Sequence, residues 1–257
     1  MKREKLVVFG GSGFIGREVC RLGRALGHRM ISISRGGRPK LDEPWVQGVE
    51  WVQADALEPA TWRPLLEGAY GVVHCVGTSS QGDEPAQSFM HLNRDSAIYA
   101  AREAEAAKVR KFVFLSASQA PPSIPEAYLT TKREAEAVIT GMDLISVFLR
   151  PAIVYGDERP LSKIAAHDEG REQDWIENFE PLRVERVAMA ALRAVLEEEI
   201  EGILDEAAIE HLGDAVGIGG KVPVHLDVDD DLIRLGDLDH LLVTPPHQLH
   251  RLGVGQP

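Results

Sequence analysis

The sequence predicts an α/β protein: a doubly wound parallel sheet covered by helices on both faces. Three observations predict it. Apolar strand-like runs alternate with helical patterns along most of the 257 residues, and such alternation folds through right-handed crossovers into a parallel sheet. The first strand runs straight into a glycine cluster, "VVFGGSGFIGREVC" at residues 7–20, which opens directly into a helix. The first strand, "KLVVFG", is a short apolar run ending in glycine, as suits a parallel strand buried on both faces.

The elements follow in order. "KLVVFG" (5–10) ends in glycine and suits a buried strand. Phe14, Ile15, Val19, Leu22 and Leu26 recur at helical spacing, and Gly27 stops that helix. "RMISISR" (29–35) and "VEWVQAD" (49–55) are the second and third strands, followed by a short helix over 61–69. "GVVHCVG" (71–77) is the fourth strand, and residues 86–107 form a long alanine-rich helix. "KFVFLSAS" (111–118), a helix over 127–139 and "ISVFLRP" (145–151) complete the alternation. An amphipathic helix over 181–202 and a last strand and helix over 202–212 follow. This divides the chain into a core at 1–156, a small substrate-side region at 157–213 and a tail at 214–257.

Composition narrows the partners. Forty acids against 28 bases give a net charge of −12, which disfavours nucleic acid, because phosphate backbones need a basic face. Two cysteines, Cys20 and Cys75, form no disulfide framework and point to a reducing, cytoplasmic setting. The start "MKREK" has no room for a signal peptide, and no apolar run reaches the roughly 20 residues a membrane span needs. Peripheral membrane association stays open, as does the oligomeric state.

The glycine cluster carries the chemistry. Gly11, Gly13 and Gly16 fit G-x-G-x-x-G, and Gly10, Gly13 and Gly16 fit G-x-x-G-x-x-G; Ser12, Phe14 and Ile15 fill the intervening positions. Glycine allows a tight turn and brings backbone N–H groups close to a pyrophosphate, while the helix N-terminus favours the anion. A positive φ in this turn would also bar a branched side chain at Gly13. The motif predicts a dinucleotide site of the Rossmann type. An NAD site usually places an acid at the end of the second strand. Here "SISRGGRPK" has no acid before Asp42; Ser34, Arg35 and Arg38 instead offer groups suited to a 2′-phosphate. NADP(H) is the preferred cofactor, with NAD(H) left open.

The chain resembles the short-chain dehydrogenase/reductases of the extended or atypical kind, related to epimerases and dehydratases. The matching pieces are "GGSGFIG", "ADALEP", "GVVHCVGT", "HLNRDSA", "YLTTK" and "LRPAIVYG", in family order. Through "LVVFGGSGFIG" and "YLTTKREAEAVI" it is most similar to a ubiquinone-related branch. That branch holds the nucleotide-binding accessory subunit of complex I and an accessory protein of coenzyme Q synthesis. The resemblance implies that Asp55 bonds the adenine amino group with Ala56 beside it, that Val76 and Gly77 flank the adenosine end, and that Asn93 supports the sheet below the cofactor. It implies that Lys132 holds the nicotinamide ribose and lowers the pKa of Tyr128, which moves a proton while hydride is transferred. Pro151 would lie against the nicotinamide, with Ile153 and Val154 near its carboxamide. The family's third catalytic group, a serine or threonine, falls nearest to Ala117 here, with Ser116 before it and Ser118 after it.

No metal is expected. His167, Asp168 and Glu169 lie in a polar stretch that also holds Trp175 and Phe179, and read as a solvated loop. "DVDDD" (227–231) lacks the glycine and distant glutamate of a calcium loop, and His240, His247 and His250 read as tail residues. Two functions remain: an NADPH-dependent oxidoreductase, or an epimerase/dehydratase-like enzyme, acting on a small molecule; and a non-catalytic NADP(H)-binding accessory or sensor protein in a quinone or respiratory complex.

Overall fold

The structure is a computed structural model that describes residues 2–79, 89–121, 123–161, 164 and 179–214. Seven strands form one sheet. They are β1 (Lys5–Phe9), β2 (Arg29–Ser34), β3 (Glu50–Gln53), β4 (Gly71–His74), β5 (Lys111–Leu115), β6 (Ile145–Leu149) and, from the end of the described chain, β9 (Gly202–Leu204). Their order is β3-β2-β1-β4-β5-β6-β9, and every pairing is parallel. A second, two-stranded parallel sheet pairs β7 (Val154–Tyr155) with β8 (Leu182–Arg183).

Side chains of a strand alternate between faces, and the two faces hold two cores. Leu6 and Val8 of β1 join a cluster with Val19 and Leu22 of α1 (Phe14–Ala25) and Val187 and Leu192 of α6 (Val184–Leu196). Ile209 and Leu212 of α7 (Glu206–Asp214) extend that cluster. Val7 and Phe9 face the other way, onto Trp62, the alanines of α4 (Ser96–Ala106), and Ala135 and Ile139 of α5 (Ala127–Thr140). The alanine-rich face of α4 lets it lie close to the sheet. Since β9 extends the main sheet and α6 packs on α1, residues 182–214 share the core of the first half of the chain. Among the buried polar groups, His74 sits between Phe9, Phe112 and Phe114 and meets Ser96 Oγ at 3.2 Å. Burial first, then the charge of Lys132, pushes its pKa down to about 3.

Several elements differ from the sequence reading. The helix expected over 61–69 begins earlier, as α3 (Pro59–Trp62), and tightens into a 3₁₀ turn at Arg63–Leu66. Proline supplies a preset φ at each of these starts. A short α2 (Pro44–Gln47), also begun by proline, was not anticipated. The helix expected over 86–107 opens as a wide π-helical segment, Met90–Asp95, before α4. The fourth strand ends at His74, because the chain beyond it bends toward the cleft described below. The helix expected over 181–202 spans Val184–Leu196, since residues 182–183 are extended in β8. His167, Asp168, Glu169, Trp175, "DVDDD" and the three tail histidines lie outside the described residues. Among the described residues, no helix is long and apolar enough to cross a membrane, and no cluster of His, Cys, Asp and Glu could hold a metal ion.

Candidate dinucleotide site

The strand order reverses between β1 and β4, which lead to opposite edges of the sheet. The crossovers diverge there and open a crevice at the C-terminal strand ends, where open α/β sheets take ligands. A cleft of about 260 Å³ occupies this place. Gly13, Phe14, Ile15 and Gly16 line it from one side; Cys75, Val76 and Gly77 line it from β4. Ser116, Tyr128, Lys132, Pro151, Ile153 and Val154 line it from the β5–β6 half.

The glycines have separate tasks. Gly10 has φ +78°, and a Cβ there would stand 3.0 Å from the Cys75 carbonyl carbon, so only glycine fits the turn. Gly13 is extended (φ −80°) and exposed; the positive φ anticipated there falls at Gly10. Gly13 N–H donates to Gly10 O at 2.9 Å and then caps α1, which has no side-chain cap. A Cβ on Gly16 would run into the Gly10 carbonyl and lie 2.8 Å from Gly11 Cα, so this glycine lets α1 close on the β1 turn. The exposed backbone at Gly13 and the uncapped helix start fit a pyrophosphate, whose charge an N-terminus favours.

Beyond β2, Ser34 Oγ donates to Gly37 O at 3.3 Å, and Gly37 takes φ +61° against Gln53. A Cβ on Gly36 would lie 3.8 Å from Ser12 Oγ, so this loop folds over the glycine turn. Arg35 and Arg38 are exposed, and neither meets a carboxylate among the described residues. Asp55 is partly engaged: its Oδ1 accepts from Leu57 N–H at 2.9 Å, and Ala56 beside it is buried. Asn93 is buried and bonds to the loop after β4. Its Oδ1 accepts from Thr78 N–H at 2.8 Å and its Nδ2 donates to Thr78 O at 3.1 Å, fixing the loop after Gly77.

Tyr128 and Lys132 stand one turn apart on α5. Lys132 Nζ donates to Leu115 O at 2.8 Å and sits 5.0 Å above the Phe114 ring. It is buried, and burial draws its pKa down to about 8. Tyr128 packs edge-on against Phe89, with centroids 6.0 Å apart. Burial pushes its phenol up to about 12; Arg159 and then Arg133 oppose that rise. The resemblance attributes a lowering of the Tyr128 pKa to Lys132; here the phenol is raised instead, and the charges that oppose the rise are Arg159 and Arg133.

The two serines part company. Ser116 is buried, lines the cleft and accepts from Arg133 Nη1 at 3.1 Å. Ser118 turns away, donating to Glu206 of α7, and does not line the cleft. Arg133 also donates to Ala117 O at 2.5 Å and pairs with the buried Glu136, which Arg150, just past β6, holds as well. Sequence reasoning missed Cys75, Thr78, Ile124 and Arg159 as lining residues. They come from segments whose approach to the cleft depends on the loops after β4, β5 and β7, and no local pattern marks that approach.

A glycine turn under a helix start, at the reversal of a parallel sheet, with a Tyr/Lys pair opposite, defines a dinucleotide-binding α/β protein. The chain belongs to the NAD(P)H-binding family, which it matches over residues 10–196, and a nicotinamide dinucleotide is the cofactor that family and fold share. It is 29% identical to an uncharacterized chloroplastic protein of Arabidopsis thaliana over 235 residues, covering 79% of this chain and 75% of the other. It is 27% identical over 205 residues to MIOREX complex component 2 of Saccharomyces cerevisiae, covering 60% and 74%. A short-chain dehydrogenase/reductase superfamily protein of Agrobacterium tumefaciens, with bound NAD, shares the fold. The TM-score is 0.62 at 16% identity, over 78% of this chain and 76% of that one.

Proposed function

We propose that this protein is an NADPH-dependent oxidoreductase of a small carbonyl compound, in which Tyr128 transfers the proton and Lys132 holds the nicotinamide ribose. One observation carries the reading: Tyr128 and Lys132 line the same cleft as the glycine turn and the Pro151–Val154 segment. The bound nicotinamide would supply or accept the hydride. An ammonium has three donors, and Lys132 uses one on Leu115 O, so two remain for ribose hydroxyls. With its pKa near 12, Tyr128 keeps its proton at neutral pH and suits the acid role, donating to a carbonyl oxygen as it is reduced. Ser116, whose Oγ accepts from Arg133, keeps its own proton for the same oxygen. Arg35 and Arg38, cations with no carboxylate partner among the described residues, support a preference for the 2′-phosphate of NADP(H). The same groups also suit an epimerase or dehydratase that uses the nicotinamide transiently.

Tyr128→Phe tests this reading. It removes the hydroxyl and keeps the ring against Phe89, so NADPH affinity should hold. NADPH oxidation against a panel of quinones, aldehydes and ketones should fall about 10²–10⁴-fold, the usual share of acid–base catalysis. A second reading, a non-catalytic NADP(H)-binding accessory protein, is favoured by the similarity to a yeast protein named as a component of the MIOREX complex. Tight NADPH binding by the wild type, with no oxidation by any panel member, would select it.

A further inference from the structure

Arg159 stands in the cleft on the β7 side, opposite the helix that carries Tyr128. It is exposed, and among the described residues its guanidinium meets no carboxylate. Its backbone is held firmly. Gly156 N–H donates to Arg159 O at 3.2 Å and Arg159 N–H donates to Gly156 O at 3.0 Å. The neighbouring Glu158 pairs with Arg17 in the first turns of α1. Gly156 fits so closely that a Cβ would lie 3.3 Å from the Phe14 ring. The short loop is thus latched to the glycine-turn helix at two points, and it presents one cation to the cleft. In a chain of net charge −12, a guanidinium without a carboxylate partner, carried into a ligand cleft on a held backbone, is spare positive charge. The phenol of Tyr128 senses it: after burial, Arg159 is the strongest influence on that group.

We propose that Arg159 recognises an anionic group of the substrate, a carboxylate or phosphate, next to the carbonyl that Tyr128 serves. The inference rests on the reading of Tyr128 as the proton-transfer group and adds the class of molecule it acts on. A guanidinium bonds either anion through two parallel donors. Arg159 lines the cleft and Arg35 and Arg38 do not, so the cofactor's phosphate and the substrate's anion would not compete for one cation.

The test uses 4-carboxybenzaldehyde and benzaldehyde, two probes that differ by one charge. Each is titrated calorimetrically into wild type, Arg159→Ala and Arg159→Lys, with and without NADPH, and NADPH oxidation is followed separately. The wild type should bind the charged probe about tenfold or more tightly than the neutral one. Arg159→Ala should erase that preference and leave benzaldehyde binding unchanged; Arg159→Lys should keep part of it. The side chain is exposed, so these variants should fold. Competition by benzoate against phenyl phosphate tells which anion is preferred. Equal affinities in the wild type, or a preference surviving in Arg159→Ala, would overturn the proposal. Charge preference without any NADPH oxidation would uphold Arg159 and defeat the oxidoreductase reading, so the two failures are distinguishable.

Discussion

Lys132 shows what a single residue contributes and costs. Its ammonium is buried, with one carbonyl and an aromatic face for company, and its pKa falls from 10.5 to about 8. Between those two values the unfolded chain keeps a proton that the folded protein releases. Stability therefore rises with pH across that window, and below it the folded protein bears the full penalty of a buried charge. One pKa unit is about 1.4 kcal/mol, so the penalty is on the order of 3 kcal/mol. Lys132→Met removes the charge but strands the Leu115 carbonyl, which costs roughly 1–3 kcal/mol, so the two effects nearly cancel at neutral pH. The pH dependence does not cancel. Urea midpoints should rise between pH 8 and pH 10.5 in the wild type and rise much less in Lys132→Met. Lys111 and Lys5 also have lowered pKa values, so the comparison with the variant isolates Lys132. An unchanged rise in Lys132→Met would show that another group is responsible. A protein that retains such a cation within its core gains something other than stability from it, and the ribose contact is what it gains in the proposed mechanism.

At the scale of elements, the reading from sequence succeeded where local pattern and tertiary demand agree. β1, the glycine turn and α1 are such a case: the apolar run, the loss of side chains and the helical spacing each need only neighbours in the chain. Gly27 is another, ending α1 with φ +88°. The reading failed where the demand comes from elsewhere. The π-helical segment at Met90–Asp95 carries Asn93 to the Thr78 backbone, and no periodicity announces that detour. Ser116 and Ser118 look interchangeable in "LSAS", yet one faces the cleft and the other bonds to Glu206, 88 residues away. No local pattern marks Arg159 either, because its loop is placed by Arg17 and Phe14, far along the chain. The glycine turn gives a prediction with two arms. Gly13→Val puts a branched side chain on an exposed, extended residue whose Cβ would meet only Gly10 O, at 3.2 Å. It should keep the fold, as read by circular dichroism and melting temperature, while NADPH binding is lost. Gly16→Val drives α1 off the β1 turn and should cost about 1–3 kcal/mol or more as well as binding. Retained NADPH binding in Gly13→Val would mean that the turn serves structure alone.

For the molecule as a whole, the sheet order matters most. β1 and β4 are neighbours whose crossovers diverge, so the cleft is walled by both halves of the fold, with α1 on one side and α5 and the Pro151–Val154 segment on the other. A ligand in it holds the halves together and stabilises the folded state by mass action. At about 100 times its Kd, it adds about 2.7 kcal/mol to the unfolding free energy. For a domain of this size, each kcal/mol raises the melting temperature by about 2–4 °C, so saturating NADPH should raise it by roughly 5–10 °C. The same measurement discriminates between cofactors. If Arg35 bonds the 2′-phosphate, that contact is worth about 1.5–3 kcal/mol. Arg35→Ala would then need tenfold or more NADPH to give the same shift. At fixed NADPH concentration the variant should lose about half of its thermal gain or more. Its response to NADH, which has no 2′-phosphate, should match that of the wild type. Arg35 is exposed and lies outside both cores, so the variant's melting temperature without cofactor should be unchanged, and the whole difference can be assigned to binding. Equal shifts from NADPH and NADH in the wild type would end the case for NADP(H), and no shift from either would end the case for the cleft.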